Sequence, residues 1–287
     1  MTPKDDQRHV NKSLRECRLF KVSKSLLRRP GHIMNSSKTI AVMTLGILLV
    51  TGSCYGPRVK AQQTSVALTS EQEFLNAIKK GDSARVGELL KENPALIRAS
   101  AKNGATPVLL AVYAHHPEIA ESLLATGIEP NIFEAAATGR VERVRELLNK
   151  DRKLVKAYSP DGWTALHLNF GNLEIVKLTL DRGSDINAVS KNKFSATPLQ
   201  GAVAMQKIDL ARLLIARGAN VNCRGEAGGS PLHEAAGNGD LEFAKLLLEH
   251  GAKLNAKDDT GKTPLTIAIE FKQIEMERFL RDRRARQ

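Results

Sequence analysis

The chain has 287 residues, of which 42% are hydrophobic and 4% aromatic, and it carries a formal charge of +12. That length allows one or two domains. The charge is uneven: residues 1–33 hold +6, residues 34–61 another +3, and residues 62–287 only the remaining +3, which argues against nucleic-acid binding by the folded part.

Residues 1–33 form a basic leader, read either as an over-long start ahead of Met34 or as a genuine part of the chain. Arg28-Arg29 is a twin-arginine pair, but the Pro30-Gly31 that follows suits such a signal poorly. Residues 34–61 read as a secretory signal peptide: Lys38 precedes an apolar run over 40–50, which is shorter than the roughly 18–20 residues needed to span a bilayer. An uncleaved N-terminal anchor and a mitochondrial-type leader are the alternatives. Cleavage is expected either after Ala61 or within Thr51-Gly52-Ser53-Cys54. The latter resembles a bacterial lipobox, with Thr51 where that motif prefers Leu and Cys54 as the candidate lipidation site. The protein is therefore expected to be exported, periplasmic or secreted, with a membrane-anchored lipoprotein as the alternative. Of three cysteines, Cys17 lies in the leader and Cys54 in the tail of the signal segment, and Cys223 reads as a packed small residue.

A polar tether, 62–70, leads into helix pairs. Glu73 to Leu90 makes the first pair, with Lys79 and Lys80 marking an end cap that keeps one face wet. Thr106-Pro107 opens the second and Glu118 to Leu124 completes it. Ile132 to Leu148 makes a third, without a Thr-Pro opening. From here a period appears. Thr164, Thr197-Pro198, Ser230-Pro231 and Thr263-Pro264 stand 33 residues apart, each ahead of an amphipathic pattern such as Leu241, Ala244, Leu247, Leu248. The hydroxyl residue suits a helix N-cap, and proline suits the first helical position, where a missing N–H costs nothing. Gly237-Asn238-Gly239-Asp240 ends one helix and caps the next.

This pattern, with His167 and His233 three places after the capping residue, resembles the ankyrin repeat, here of an exported, bacterial type. The resemblance implies an all-α solenoid of stacked helix-turn-helix units joined by β-hairpin-like loops. It divides residues 71–287 into seven units: 71–101 (N-terminal cap), 102–130, 131–161, 162–194, 195–227, 228–260 and 261–287 (C-terminal cap). It also implies that His167 and His233 hydrogen-bond neighbouring loops. Two steps are irregular. Thr106 to Thr164 spans 58 residues rather than 66, which predicts a shortened hairpin around the third unit. Thr164 to Asn187 is two residues shorter than its counterparts, which predicts a short fourth inner helix followed by a longer loop.

No phosphate loop, nucleophile elbow, zinc spacing or telling carboxylate pair is present, so no enzyme, metal site or cofactor is expected. The family resemblance implies protein binding through loop tips and inner helices, by a monomer that touches neither nucleic acid nor, beyond an N-terminal anchor, membrane. The tip candidates are Tyr158, Asp161, Trp163, Lys191, Lys193, Phe194, Arg224, Glu226, Asp259 and Lys262, with Asn238 at the end of an inner helix. Trp163, the one tryptophan, reads equally as an aromatic anchor with Tyr158 and Phe194 or as packing over the shortened fourth unit. The basic end, Arg281 to Arg286, reads as a solvated helix terminus. An envelope tether is the alternative to a binding scaffold.

Overall fold

A computed structural model of the chain describes residues 69–169 and 171–286, so the leader, the signal-peptide reading and Cys54 lie outside the described residues. Among the described residues are thirteen α-helices, four 3-10 turns and no strand. The helices pair in chain order: α1 (Ser70–Lys80) with α2 (Ser83–Glu92), α3 (Pro107–Tyr113) with α4 (Pro117–Leu124), and α5 (Ile132–Ala137) with α6 (Val141–Lys150). In the fourth unit α7 (Leu173–Asp181) is preceded only by the 3-10 turn His167–Asn169. Then follow α8 (Pro198–Ala204) with α9 (Ile208–Ala216), α10 (Pro231–Asn238) with α11 (Leu241–Glu249), and α12 (Pro264–Glu270) with α13 (Ile274–Asp282). No described helix is long and apolar enough to cross a membrane.

The repeating residues account for the repeating structure. Thr106, Thr197 and Thr263 hold extended backbone at the N-cap, and each hydroxyl accepts from the N–H three residues on, ahead of a proline at the first turn. The apolar residue two places after each capping residue is sealed in: Val108, Leu166, Leu199, Leu232 and Leu265 are all 1% exposed or less. Each such leucine contributes about 2 kcal/mol of burial, but only because a neighbouring unit helps to cover it, so a single unit has no independent core.

The fourth unit departs at one identifiable residue. Five places after the cap the other Thr/Ser-opened units have Ala111, Ala202, Ala235 and Ala268, each fully buried, where a neighbouring helix packs closely. The fourth has Asn169, also buried, whose amide donates to the Leu166 carbonyl and whose side-chain oxygen accepts from Gly171 N–H at 2.8 Å. That side chain closes the turn on itself and ends the helix after one 3-10 turn. The cap-to-cap distance, Thr164 to Asn172, is eight residues instead of the ten from Thr197 to Lys207 or from Ser230 to Asp240.

Between helix pairs the chain projects as narrow fingers, each closed by a backbone bond: Ala101 N–H to Ala105 O, Ser159 N–H to Trp163 O, Gly225 N–H to Gly229 O and Asp258 N–H to Lys262 O. These close over four residues. The finger after α7 closes from Ser190 to Ala196, over six, so the two residues lost from the fourth inner helix reappear at a finger tip. No finger leads into the third unit. Seven residues join α4 to α5, whereas fourteen join α9 to α10. The fingers of units two and four consequently meet directly: a Cβ built on Gly104 would sit 2.9 Å from Pro160, and the Tyr113 hydroxyl donates to Asp161 at 2.8 Å.

Candidate functional site

From Ser159 onward the fingers form a continuous ridge because each tip is bonded to the next. Lys191 N–H donates to Gly162 O at 2.8 Å, Glu226 N–H to Phe194 O at 3.0 Å, and Asp259 N–H to Ala227 O at 2.9 Å. Gly162 is required at the first junction. Its φ is +87°, and a Cβ there would lie 2.8 Å from the Lys191 carbonyl carbon.

Behind the tips runs a second ladder, built by the residue three places after the caps Thr164, Thr197 and Ser230. His167 Nε2 lies 3.0 Å from Ala196 O, Gln200 Nε2 donates to Gly229 O at 3.0 Å, and His233 Nε2 lies 3.0 Å from Lys262 O. A carbonyl only accepts, so Nε2 carries the proton in both histidines, and Nδ1 accepts from the Thr164 or Ser230 hydroxyl at 2.8 Å. The imidazoles are thus used from both sides while neutral. Burial pulls His167 down to about 4 and lowers His233 as well. Glu134 links in the opposite direction: it is buried, accepts from the Thr106 hydroxyl at 2.7 Å and caps its own helix through Asn131 N–H.

At the junction of the fourth and fifth fingers five of the tip candidates converge. Trp163 and Phe194 stack at 5.9 Å between ring centroids with 22° between planes, and the His167 ring is tilted by 54° against the indole at 5.4 Å. Lys191 Nζ stands 4.1 Å above the Tyr158 ring and Lys193 Nζ 5.1 Å from the Phe194 ring. The Tyr158 hydroxyl donates to Val189 O at 3.0 Å. The three aromatics are half-buried, the two lysines exposed, and Val189 is 46% exposed. The indole N–H finds no acceptor among the described residues. Both readings of Trp163 therefore have a geometric basis: it packs on the core beside the short turn, and it is only half-buried.

The remaining candidates fall elsewhere. Asp161, read from the sequence as a tip carboxylate, is buried: the Ser159 and Tyr113 hydroxyls donate to it at 2.6 and 2.8 Å, so it offers no free charge at the surface. Arg224 pairs with Asp259 at 2.6 Å and Lys262 with Glu270 at 2.6 Å, so these charges are neutralised within the array. Glu226 is exposed beside Phe194, and Asn238 is half-buried at the end of α10, apart from the cluster. Two residues that matter were passed over in the sequence. Tyr113 had a signal, because it ends the helix just before the shortened stretch. Asn192, whose Oδ1 accepts from Ser190 Oγ and Phe194 N–H and whose amide donates to Asp161 O, had none.

Stacked helix pairs with Thr-Pro caps and mutually bonded fingers define a solenoid repeat protein. The family model for ankyrin repeats (3 copies) matches residues 132–225 and 199–286, together more than half of the chain, and the chain belongs to the ankyrin-repeat family. Ankyrin repeat and SAM domain-containing protein 6 of Rattus norvegicus is 30% identical over 152 residues, which are 52% of this chain and 14% of that protein. The B-cell lymphoma 3 protein homolog of Mus musculus is 32% identical over 143 residues, 48% of this chain and 28% of the relative. A Caenorhabditis elegans homolog of transient receptor potential cation channel subfamily A member 1 is 37% identical over 95 residues, 32% of this chain and 8% of the relative. The chain thus spans a minor part of these relatives. Ankyrin repeats are protein-interaction scaffolds, and the family is typically non-enzymatic.

Proposed function

We propose that the protein is an exported, non-enzymatic scaffold that works as a monomer and captures a protein partner on its fourth and fifth fingers. The observation that carries this is the cluster of Tyr158, Trp163 and Phe194 beneath the exposed Lys191 and Lys193. Aromatic and cationic side chains on a rigid support are the usual anchors of interfaces. The longer fifth finger carries Lys191, Lys193 and Phe194 against the fourth, to which Lys191 N–H is bonded, and the helix stack behind supports this reading of a rigid surface. Export rests on the apolar run at 40–50 behind Lys38.

The test is capture of partners from the native host by the full chain and by Trp163→Ala, with circular dichroism on both. Loss of capture with helix content intact supports docking on this cluster. Unchanged capture, or loss of helix content together with capture, contradicts it. Intact mass from fractionated cells tests export: a chain starting at Gln62 outside the cytosol agrees with it, and an unprocessed cytosolic chain does not.

A further inference from the structure

We propose that the crest formed by the fourth and fifth fingers takes an acidic, extended segment of another protein, one with at least two carboxylates beside an apolar side chain. The inference rests on the reading of the fingers as the docking surface and names the chemistry they select.

The charges on the tips differ in whether they are already satisfied. Arg224 and Lys262 each hold a carboxylate at 2.6 Å. Lys191 and Lys193 have none within 4 Å among the described residues, although both are exposed. Asp161, the acidic residue of the fourth finger, is turned inward by Tyr113 and Ser159, which leaves that finger without an exposed carboxylate; Glu226, exposed on the next finger, is joined to Phe194 through the backbone.

An ordinary surface lysine gains little from a carboxylate, because ordering its long side chain offsets the attraction. Here that cost is already met. Tyr158 holds Lys191 from below at 4.1 Å and is itself tied to Val189 O, while Phe194, stacked on Trp163, holds Lys193 at 5.1 Å. Val189, one of two large hydrophobic residues exposed among the described residues, lies beside Tyr158 and suits the apolar side chain of the segment. The tips make a ridge and not a cavity, so the occupant lies across them in extended form. The chain's own leader is excluded by sign, since residues 1–61 carry +9.

The test uses the full chain and two synthetic twelve-residue peptides, one alternating Glu with Leu and one with every Glu replaced by Gln. Binding is read by peptide anisotropy and by the emission of Trp163, the one tryptophan. The acidic peptide should bind, shift that emission, and weaken several-fold between about 50 and about 300 mM salt. Lys191→Glu/Lys193→Glu should weaken it at least about tenfold, and Lys177→Glu/Lys245→Glu, an equal charge change on α7 and α11, less than about twofold. Equal binding of the Gln peptide, equal loss in the α7/α11 control, or tighter finger-dependent binding of heparin or anionic vesicles overturns the proposal. So does self-association of the chain through the same lysines. A photoreactive residue at position 193 separates the two levels. Cross-linking in the native host to a partner segment without acidic residues defeats the acidic preference and leaves the docking surface standing; no cross-link defeats both.

Discussion

The Tyr113 hydroxyl donates to Asp161 Oδ2 at 2.8 Å, and this bond joins α3 of the second unit to the finger that leads into the fourth, past an α4–α5 link that has no finger. The ring of Tyr113 is half-buried, and burial beside Asp161 pushes its phenol well above the ordinary range, so it stays a donor at every workable pH. The pair bridges the one gap in the ridge.

Tyr113→Phe should therefore cost more than an exposed hydroxyl would. It leaves one oxygen of a buried carboxylate without its donor, a loss of about 1–3 kcal/mol. Hydrogen exchange should accelerate in the second and fourth fingers together, while amides of α10 to α13 keep their protection. Unchanged exchange in the fourth finger would show that the bond does not couple the units.

The histidine ladder predicts an acid-sensitive stack. Both imidazoles titrate near 6.5 when unfolded, and burial lowers both in the folded chain, that of His167 to about 4. Between those values the unfolded state holds more protons, so stability is complete above about pH 6.5 and falls as pH drops toward about 4. At pH 5 the contribution lost from His167 alone is about 2 kcal/mol. Gln200 makes the same two contacts in the fifth unit without a titrating group. His167→Gln/His233→Gln should therefore match the parent at pH 7 and melt about 5 °C or more above it at pH 5. An equal fall in both proteins would assign the acid sensitivity to other groups.

Gly162→Ala should separate finger contact from backbone strain. The new Cβ meets the Lys191 backbone at 2.8 Å, whereas at Gly127, also at positive φ, nothing lies within 4 Å. Gly127→Ala should cost only the strain of that backbone, about 1 kcal/mol, and Gly162→Ala about 2–3 kcal/mol. Exchange of the Lys191 amide, which donates to Gly162 O, should rise at least about tenfold in Gly162→Ala alone. Equal effects at the two sites would mean that the fingers are not in rigid contact.

The regular part of this molecule was legible in its residues because its causes are local. A hydroxyl, a proline and an apolar residue at consecutive positions cap a helix, start it and anchor it. A 33-residue period repeats that instruction, and the lost residues before Asn172 foretold the truncated helix and the longer finger. The repeat spacing also placed the loop tips, which is why Tyr158, Trp163, Lys191, Lys193 and Phe194 could be named among the tip residues, with the three aromatics as one group. It did not carry which charges stay free. Asp161 turns inward because Tyr113, 48 residues earlier, reaches it across a missing finger, and Arg224 is neutralised by Asp259, 35 residues later. Such pairs depend on the distance between stacked units. That spacing belongs to the assembled array, and only the tertiary structure decided it.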